Sequence, residues 1–412
     1  MIDYHLLLSV LIGVSILIIL ILKFKIQPFL GLLISSILVG ILAGVAPLEI
    51  MNTVKEGMGS TLGFVAVVVG LGAMFGAILE HSGGAEALAQ YLLKAFGEKN
   101  ASWALMITGF FIAIPVFFDV AFIILIPLVY SLQRKTKKSM LLYAIPLLAG
   151  LAITHAFIPP TPGPVAVADI LNADLGWVIL VGFIVGIPTA IVSGPIFGKF
   201  IASKIFIAAP KKIDEKVVDN FPPISLILSI IATPILLIVL NTLLNSPLGS
   251  SLNLSDKTIT WLQMIGHPFS ALIIANLMAW YLLGIRRGVS KAILSKITSA
   301  SLAPAGIIIL LTGAGGVFKQ MLITTGTGEM LANYFSSIGL SVLLFSFLAA
   351  VCVRILQGSS TVAMITAAGI TSSLITTPLG EFHTALIVIS IAAGASILSH
   401  VNDSGFWLVS NY

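Results

Sequence analysis

Charge is what this sequence has least of. Only 9% of its 412 residues are Asp, Glu, Lys or Arg, against about 25% in ordinary soluble domains. Cysteine is nearly absent as well: the single Cys352 excludes an internal disulfide and a cysteine metal cluster. No GxxxxGK[ST] phosphate loop occurs, so a nucleotide does not supply the energy for whatever the chain does. A nucleophile elbow and an HExxH helix are missing too. Neither a metal nor a cofactor is expected. The first apolar run, 6–22, has no basic leader and no small-residue cleavage site, and is expected to be a retained span rather than a signal peptide. The net charge of +5 is too thinly spread for nucleic-acid binding and matches loop Lys and Arg facing an anionic lipid leaflet.

What fills the chain instead is apolar sequence, 58% of all residues. Runs of about 20 apolar residues follow one another, which is the length that crosses a hydrocarbon core of about 30 Å as a helix. Only helices and closed barrels satisfy every backbone group in lipid, and these runs are too long and too uniform for barrel strands. The fold class expected is an all-α polytopic membrane protein.

Two segments do not fit simple spans. Residues 101–132 are almost wholly apolar with one carboxylate, Asp119, and basic residues flank both ends. As a straight helix the segment would run roughly 48 Å, too long for one crossing and too short for two. A re-entrant hairpin of two half-helices, broken near Pro115, satisfies both limits. Residues 140–172 carry Pro159-Pro160-Thr161-Pro162-Gly163-Pro164 in their middle. Four prolines in six residues cannot continue a helix, so one crossing made of two half-helices with an unwound linker is expected. The polar stretch 46–60 is expected to be a short loop. With the N-terminus outside, 17 of the 21 Lys and Arg then fall in cytoplasmic loops.

The two halves echo each other at an offset near 243. GAEALAQYLLKAFG (84–97) lies opposite GTGEMLANYFSSIG (326–339), Pro115 to Asp119 opposite Gln357 to Thr361, and Thr154-His155 opposite Ser399-His400. The topology makes these repeats inverted, an arrangement found in secondary transporters, whose sites lie at broken helices near the midplane. Repeat 1 is expected over 1–198: spans 1–3, the hairpin 101–132, the broken crossing 140–172 and a span at 176–198. A cytoplasmic linker follows at 199–220. Repeat 2 is expected over 221–412, with a hairpin at 341–376 and a broken crossing at 384–412. Symmetry calls for a final span beginning near residue 419, beyond Tyr412.

The segments HSGGAEALAQYL, FFDVAFIILIPL, HAFIPPTPGPVAVADIL, QGSSTVAMITAAGI and SHVNDSGFW together resemble the gluconate:proton symporter (gluconate permease) family over nearly the whole chain. The resemblance implies a bacterial inner-membrane permease for gluconate or a related sugar acid, elevator-type in motion and a candidate homo-oligomer. Sodium-coupled carriers of the wider superfamily bear a Ser-Asn-Thr motif at each hairpin tip. Here Phe118-Asp119-Val120 and Ser359-Ser360-Thr361 stand there, which favours proton coupling.

The candidate substrate groups are Thr161, Gly163, Arg354, Gln357, Gly358, Ser359, Ser360, Thr361, Asn402 and Ser404. Hydroxyls, amides and free N–H groups at helix starts suit a polyhydroxylated anion. The planar fork of Arg354 matches a carboxylate; it either neutralises the substrate or is the counter-ion of Asp119. The candidate proton-coupling groups are Asp119, His155, His400 and Asp403. Lys319 and Glu80 are expected to snorkel from span ends. The partners expected are a sugar-acid anion, protons and membrane lipid, with no nucleic acid. Ser396 and His400, four residues apart, leave an intramembrane serine hydrolase as an alternative, and a passive anion channel is another.

Overall fold

The computed structural model describes residues 4–210, 221–245, 255–327, 330, 341–375, 379–399 and 403–410. Every regular element among them is helical. Seven segments are long and apolar enough to cross a bilayer: Tyr4–Ile21, Pro47–His81, Leu141–Leu171, Leu175–Ala202, Ile224–Asn245, Pro268–Arg287 and Lys291–Thr324. The chain forms two compact units, each assembled from separated stretches of sequence.

The first unit holds residues 1–69, 162–178 and 304–411. Helices α1 (Tyr4–Leu22) and α2 (Pro28–Leu42) pair through Gly13, where any side chain would overlap Val39, and Ser35 donates to the Gly13 carbonyl. Helix α3 (Pro47–His81) enters this unit with its first turns. They include the stretch 46–60, which is helix from Pro47 onward rather than loop. The reason is visible in its burial: Ile50, Thr53, Gly57, Thr61 and Val65 face inward at helical spacing, while Asn52, Lys55, Glu56 and Ser60 are exposed.

The second unit holds residues 70–161 and 179–303. It contains the end of α3, α4 (Gly84–Phe96), α5 (Ala101–Ile112), α6 (Phe118–Thr136) and α7 (Leu141–Phe157). Between α5 and α6 the helix breaks over 113–117, where Pro115 was expected to break it. The unit continues with most of α9 (Leu175–Ile191), a π turn at Val192–Ile196 and α10 (Phe197–Ala202). Helices α11 (Ile224–Asn245), α12 (Asp256–Gly266) and α13 (Pro268–Ala279) complete it. His267 is the N-cap of α13, its Nδ1 accepting from the Phe269 N–H.

Helices α5 and α7 approach through reciprocal glycines. A Cβ on Gly109 would stand 2.6 Å from the Leu147 carbonyl oxygen, and one on Gly150 would stand 2.7 Å from the Phe110 nitrogen. Where hydrophobic burial gives little drive between helices, such small-residue contacts let backbones approach and gain dispersion. Gly109→Ala and Gly150→Ala should each cost about 1–3 kcal/mol by overpacking, read as a lower melting midpoint in detergent. Gly59→Ala, where a Cβ meets nothing within 4 Å, should leave the midpoint unchanged or raise it.

Candidate functional site

In the second unit the two helix breaks rest on one face of α3, one turn apart. The Pro115 carbonyl lies where a side chain on Gly76 would be, and the Pro160 oxygen lies 3.3 Å from a Cβ built on Gly72. Gly76 admits no side chain without moving the Pro115 backbone, and Gly72 keeps the Pro160 contact from becoming tight. Behind them the ring of Phe117 meets His155 edge-on at 6.4 Å. Thr154 Oγ1 and His155 Nδ1 are buried without a hydrogen-bond partner. Thr161 is buried and turns back on its own loop, its hydroxyl donating to the Ile158 carbonyl at 2.6 Å. Asp119 is exposed in the first turn of α6, where the positive end of the helix dipole favours a carboxylate. The structure thus brings Pro115, Pro160 and His155 to one end of the unit.

In the first unit the second hairpin is α15 (Val342–Gln357) followed by α16 (Ser360–Ser372). Gly358 ends α15 in the left-handed region at φ 87°, a conformation that favours glycine, and its N–H caps the Arg354 carbonyl at 2.9 Å. Ser359 then opens α16 as N-cap, its Oγ accepting from the Val362 N–H. The first N–H groups of α16, at Ser360 and Thr361, have no partner within the helix. Helix α8 (Pro162–Leu171) starts beside this turn: a Cβ on Gly163 would stand 2.9 Å from Met364 Sδ. Two half-helix N-termini, each carrying partial positive charge, therefore come together at Gly163 and the 358–361 turn.

Arg354, one turn before that tip, is 4% exposed. Its Nη2 pairs with Asp403 Oδ2 and its Nε donates to the Ile397 carbonyl. Its Nη1 is buried without a partner. Asp403 also accepts from the Ser399 hydroxyl, and from the Gly405 N–H at 3.0 Å at the start of α18 (Ser404–Ser410). The carboxylate partner of Arg354 is thus Asp403. His400 and Asn402 lie outside the described residues, as do the side chains of Gln357 and Ser404. Ser396, in the turn after α17 (Glu381–Ala395), gives its hydroxyl to the Ala392 carbonyl of the preceding helix, and the His400 that the hydrolase alternative needs as its base lies outside the described residues.

Two ionisable groups escaped the sequence reading. Asp169, near the end of α8, interacts electrostatically with Lys319 of α14 (Lys291–Thr324). Lys319 does not snorkel; its ammonium donates to the Ile170 carbonyl. Glu86 in α4 has one carboxylate oxygen buried without a partner, and burial pushes its carboxyl above the usual range. A carboxylate within an otherwise apolar segment was the available signal for Asp169, as it was for Asp119.

Comparison with known proteins agrees with this architecture. Residues 5–412 match the family described as GntP family permease. A gluconate permease of Pseudomonas aeruginosa is 38% identical over all of this chain and 91% of its own length. A low-affinity gluconate transporter of Escherichia coli K12 is 39% identical over 97% of this chain and 90% of its own. The L-idonate transporter of the Gnt-II system in the same strain is 35% identical, again over 97% and 90%. Among solved structures, the YdaH transporter of Alcanivorax borkumensis shares the fold with a TM-score of 0.55 and 14% identity, over 86% of this chain and 79% of that one. Helices long enough to cross a bilayer, half-helices meeting at their N-termini and a family match over the whole chain lead to one conclusion: the protein is a multi-pass transporter, not an enzyme, and belongs to the GntP permease family.

Proposed function

We propose that the protein takes up gluconate, or a sugar acid close to it, across the bacterial inner membrane by proton-coupled symport. The relatives named for gluconate and L-idonate transport support the substrate class. The observation that carries the coupling is the buried Arg354–Asp403 pair with one guanidinium nitrogen left over.

A buried guanidinium needs a carboxylate, and two can serve. With Asp403 ionised, its oxygens hold Nη2 and the site is neutral. A proton on Asp403 cancels that charge and leaves Arg354 uncompensated in a medium where an unpaired charge is costly. The sugar-acid carboxylate then becomes the favoured partner, taken by the planar fork in two parallel bonds. Proton and anion bind together, and the loaded site carries no more net charge than the empty one. The free N–H groups of α16 and the start of α8, with Ser359, Ser360, Thr361 and Gly163, face the same chemistry. Gln357, Gly358, Thr161, Asn402 and Ser404 complete the substrate groups of this reading. Asp119, His155 and His400 are its other titratable groups on the proton route.

The architecture belongs to the same proposal: two inverted repeats, 1–198 and 221–412, joined by the linker 199–220 and moving substrate as an elevator. Exposed Leu8, Ile184, Leu236, Leu277 and Ile307 give the helices apolar outer faces suited to lipid, and a homo-oligomer is the expected assembly.

In proteoliposomes, wild-type protein should accumulate labelled gluconate only under an inward proton gradient; accumulation indifferent to the gradient overturns the coupling. Asp403→Asn imitates the protonated acid permanently, so it should exchange internal for external gluconate yet accumulate none. Arg354→Lys keeps the charge but loses the fork. A charge-assisted hydrogen bond contributes about 1.5–3 kcal/mol, so KM should rise roughly tenfold or more. Asp119→Asn sorts the remaining acids: full gradient-driven accumulation by this variant removes Asp119 from the proton route.

A further inference from the structure

The C-terminal end of α8 is closed with unusual completeness. Asn172 sits in the left-handed region at φ 53°. Its N–H returns to the Asp169 carbonyl and the Ala173 N–H to that of Ala168, the latter at 2.7 Å. That pattern satisfies two of the carbonyls that a helix leaves open at its end. A third, at Ile170, is taken by the Lys319 ammonium. Lysine reaches it because α14 comes close here: a Cβ on Gly315, one turn before Lys319, would stand 3.4 Å from Ile170 Cδ1 of α8.

A half-helix C-terminus carries about half a negative charge. Asp169, the residue before Ile170, interacts electrostatically with the same ammonium. Oxygen ligands from a carboxylate and from helix-terminal carbonyls are what a free alkali cation takes at such a break. Around Asp169, α16 brings no charged residue, α14 brings Lys319, and α17 brings Glu381 and His383 in its exposed first turn. Asp174, just beyond α8, is engaged in accepting from the Trp177 N–H.

We propose that Lys319 is a tethered cation: its ammonium occupies a monovalent-cation position formed by Asp169 and the carbonyl end of α8, and transport therefore needs no sodium. The proposal rests on the carrier reading above and explains why that reading has a proton as its only coupling ion. Deleting the ammonium should expose the position to a free ion.

Wild-type uptake of gluconate should be equal in sodium and choline buffers. In choline, Lys319→Met should fall about tenfold or more, the scale of losing the charge-assisted hydrogen bond to the Ile170 carbonyl. Sodium should then restore roughly tenfold of that loss, within the usual span of coupling between two sites. The melting midpoint of purified Lys319→Met should rise saturably with sodium, while that of the wild type stays flat. Asp169→Asn combined with Lys319→Met lacks the carboxylate and should show neither response. Sodium stimulation of the wild type overturns the proposal, and so does a Lys319→Met protein whose uptake and melting ignore sodium, lithium and potassium alike. If Lys319→Met does not fold, Lys319→Gln takes its place with both purified in sodium, and failure of sodium to restore a monodisperse protein counts against the idea. A wild type that moves no gluconate, beside a sodium-stabilised Lys319→Met, would sink the substrate reading and leave the tethered cation standing.

Discussion

Every interrupted helix in an apolar medium faces the same constraint: its freed N–H and C=O groups must find partners without water. The rest of this structure follows from how that constraint is met. Breaks occur over 113–117, over 158–161, at Gly358 and before Ser404. At each one a local device takes up the exposed backbone. Gly358 and Ser359 close one helix and open the next. Asp403 holds the first turn of α18 through the Gly405 N–H. Over 113–117 the Val116 N–H returns to the Ile112 carbonyl, and over 158–161 the Thr161 hydroxyl donates to the Ile158 carbonyl. Groups that remain open at half-helix ends are then the natural places for a ligand, because a ligand completes what the fold leaves undone.

Much of this was legible in the sequence because proline and glycine are strong punctuation. Pro115, Pro159-Pro160 and Gly358 stand in the breaks, although α8 itself begins at Pro162, so the unwound linker is shorter than the proline run, and Pro127 and Pro146 lie within α6 and α7. The family was legible from the same segments, which are both structurally constrained and chemically specific. The first turns of α3 were misread for an identifiable reason. Asn52, Lys55, Glu56 and Ser60 make the stretch look like loop, yet they occupy one face, and the buried Ile50, Thr53 and Gly57 occupy the other. Polarity argued for a loop where periodicity argued for a helix, and periodicity is the better guide.

The pairing of charges was less legible, because sequence separation says little about which ionisable groups meet. Arg354 was singled out as a buried cation, but its partner lies 49 residues on, at Asp403. Lys319 looked like a residue near a span end. It lies instead beside the end of α8, whose carbonyl it meets 149 residues away in sequence. An amphipathic side chain reaches for water only when nothing nearer will take its charge; here a helix terminus and a carboxylate are nearer. Nothing in the segment around Asp169 points to Lys319, which lies far from it in sequence.

Arg354, buried, and Lys319, half-buried, differ in what surrounds them, and the mechanism proposed above gives them different tasks. Arg354 keeps one nitrogen without a partner, and its carboxylate is shared with a serine hydroxyl and a helix N-terminus. Neutralising that carboxylate therefore strands the guanidinium, while the acid keeps other hydrogen bonds to hold it in place. That is the condition for exchanging one anion for another. Lys319 meets different groups. It is matched by a backbone carbonyl that cannot titrate and by an aspartate on the same half-helix, beside a terminus already closed by Asn172 and Ala173. A cation held by a fixed dipole has no competing state to move to. A carrier needs one site that changes partner with its load and has no use for a second ion that must be loaded separately. In the two proposals above, Lys319 at the end of α8 is what meets the second condition, and the open nitrogen of Arg354 is what meets the first.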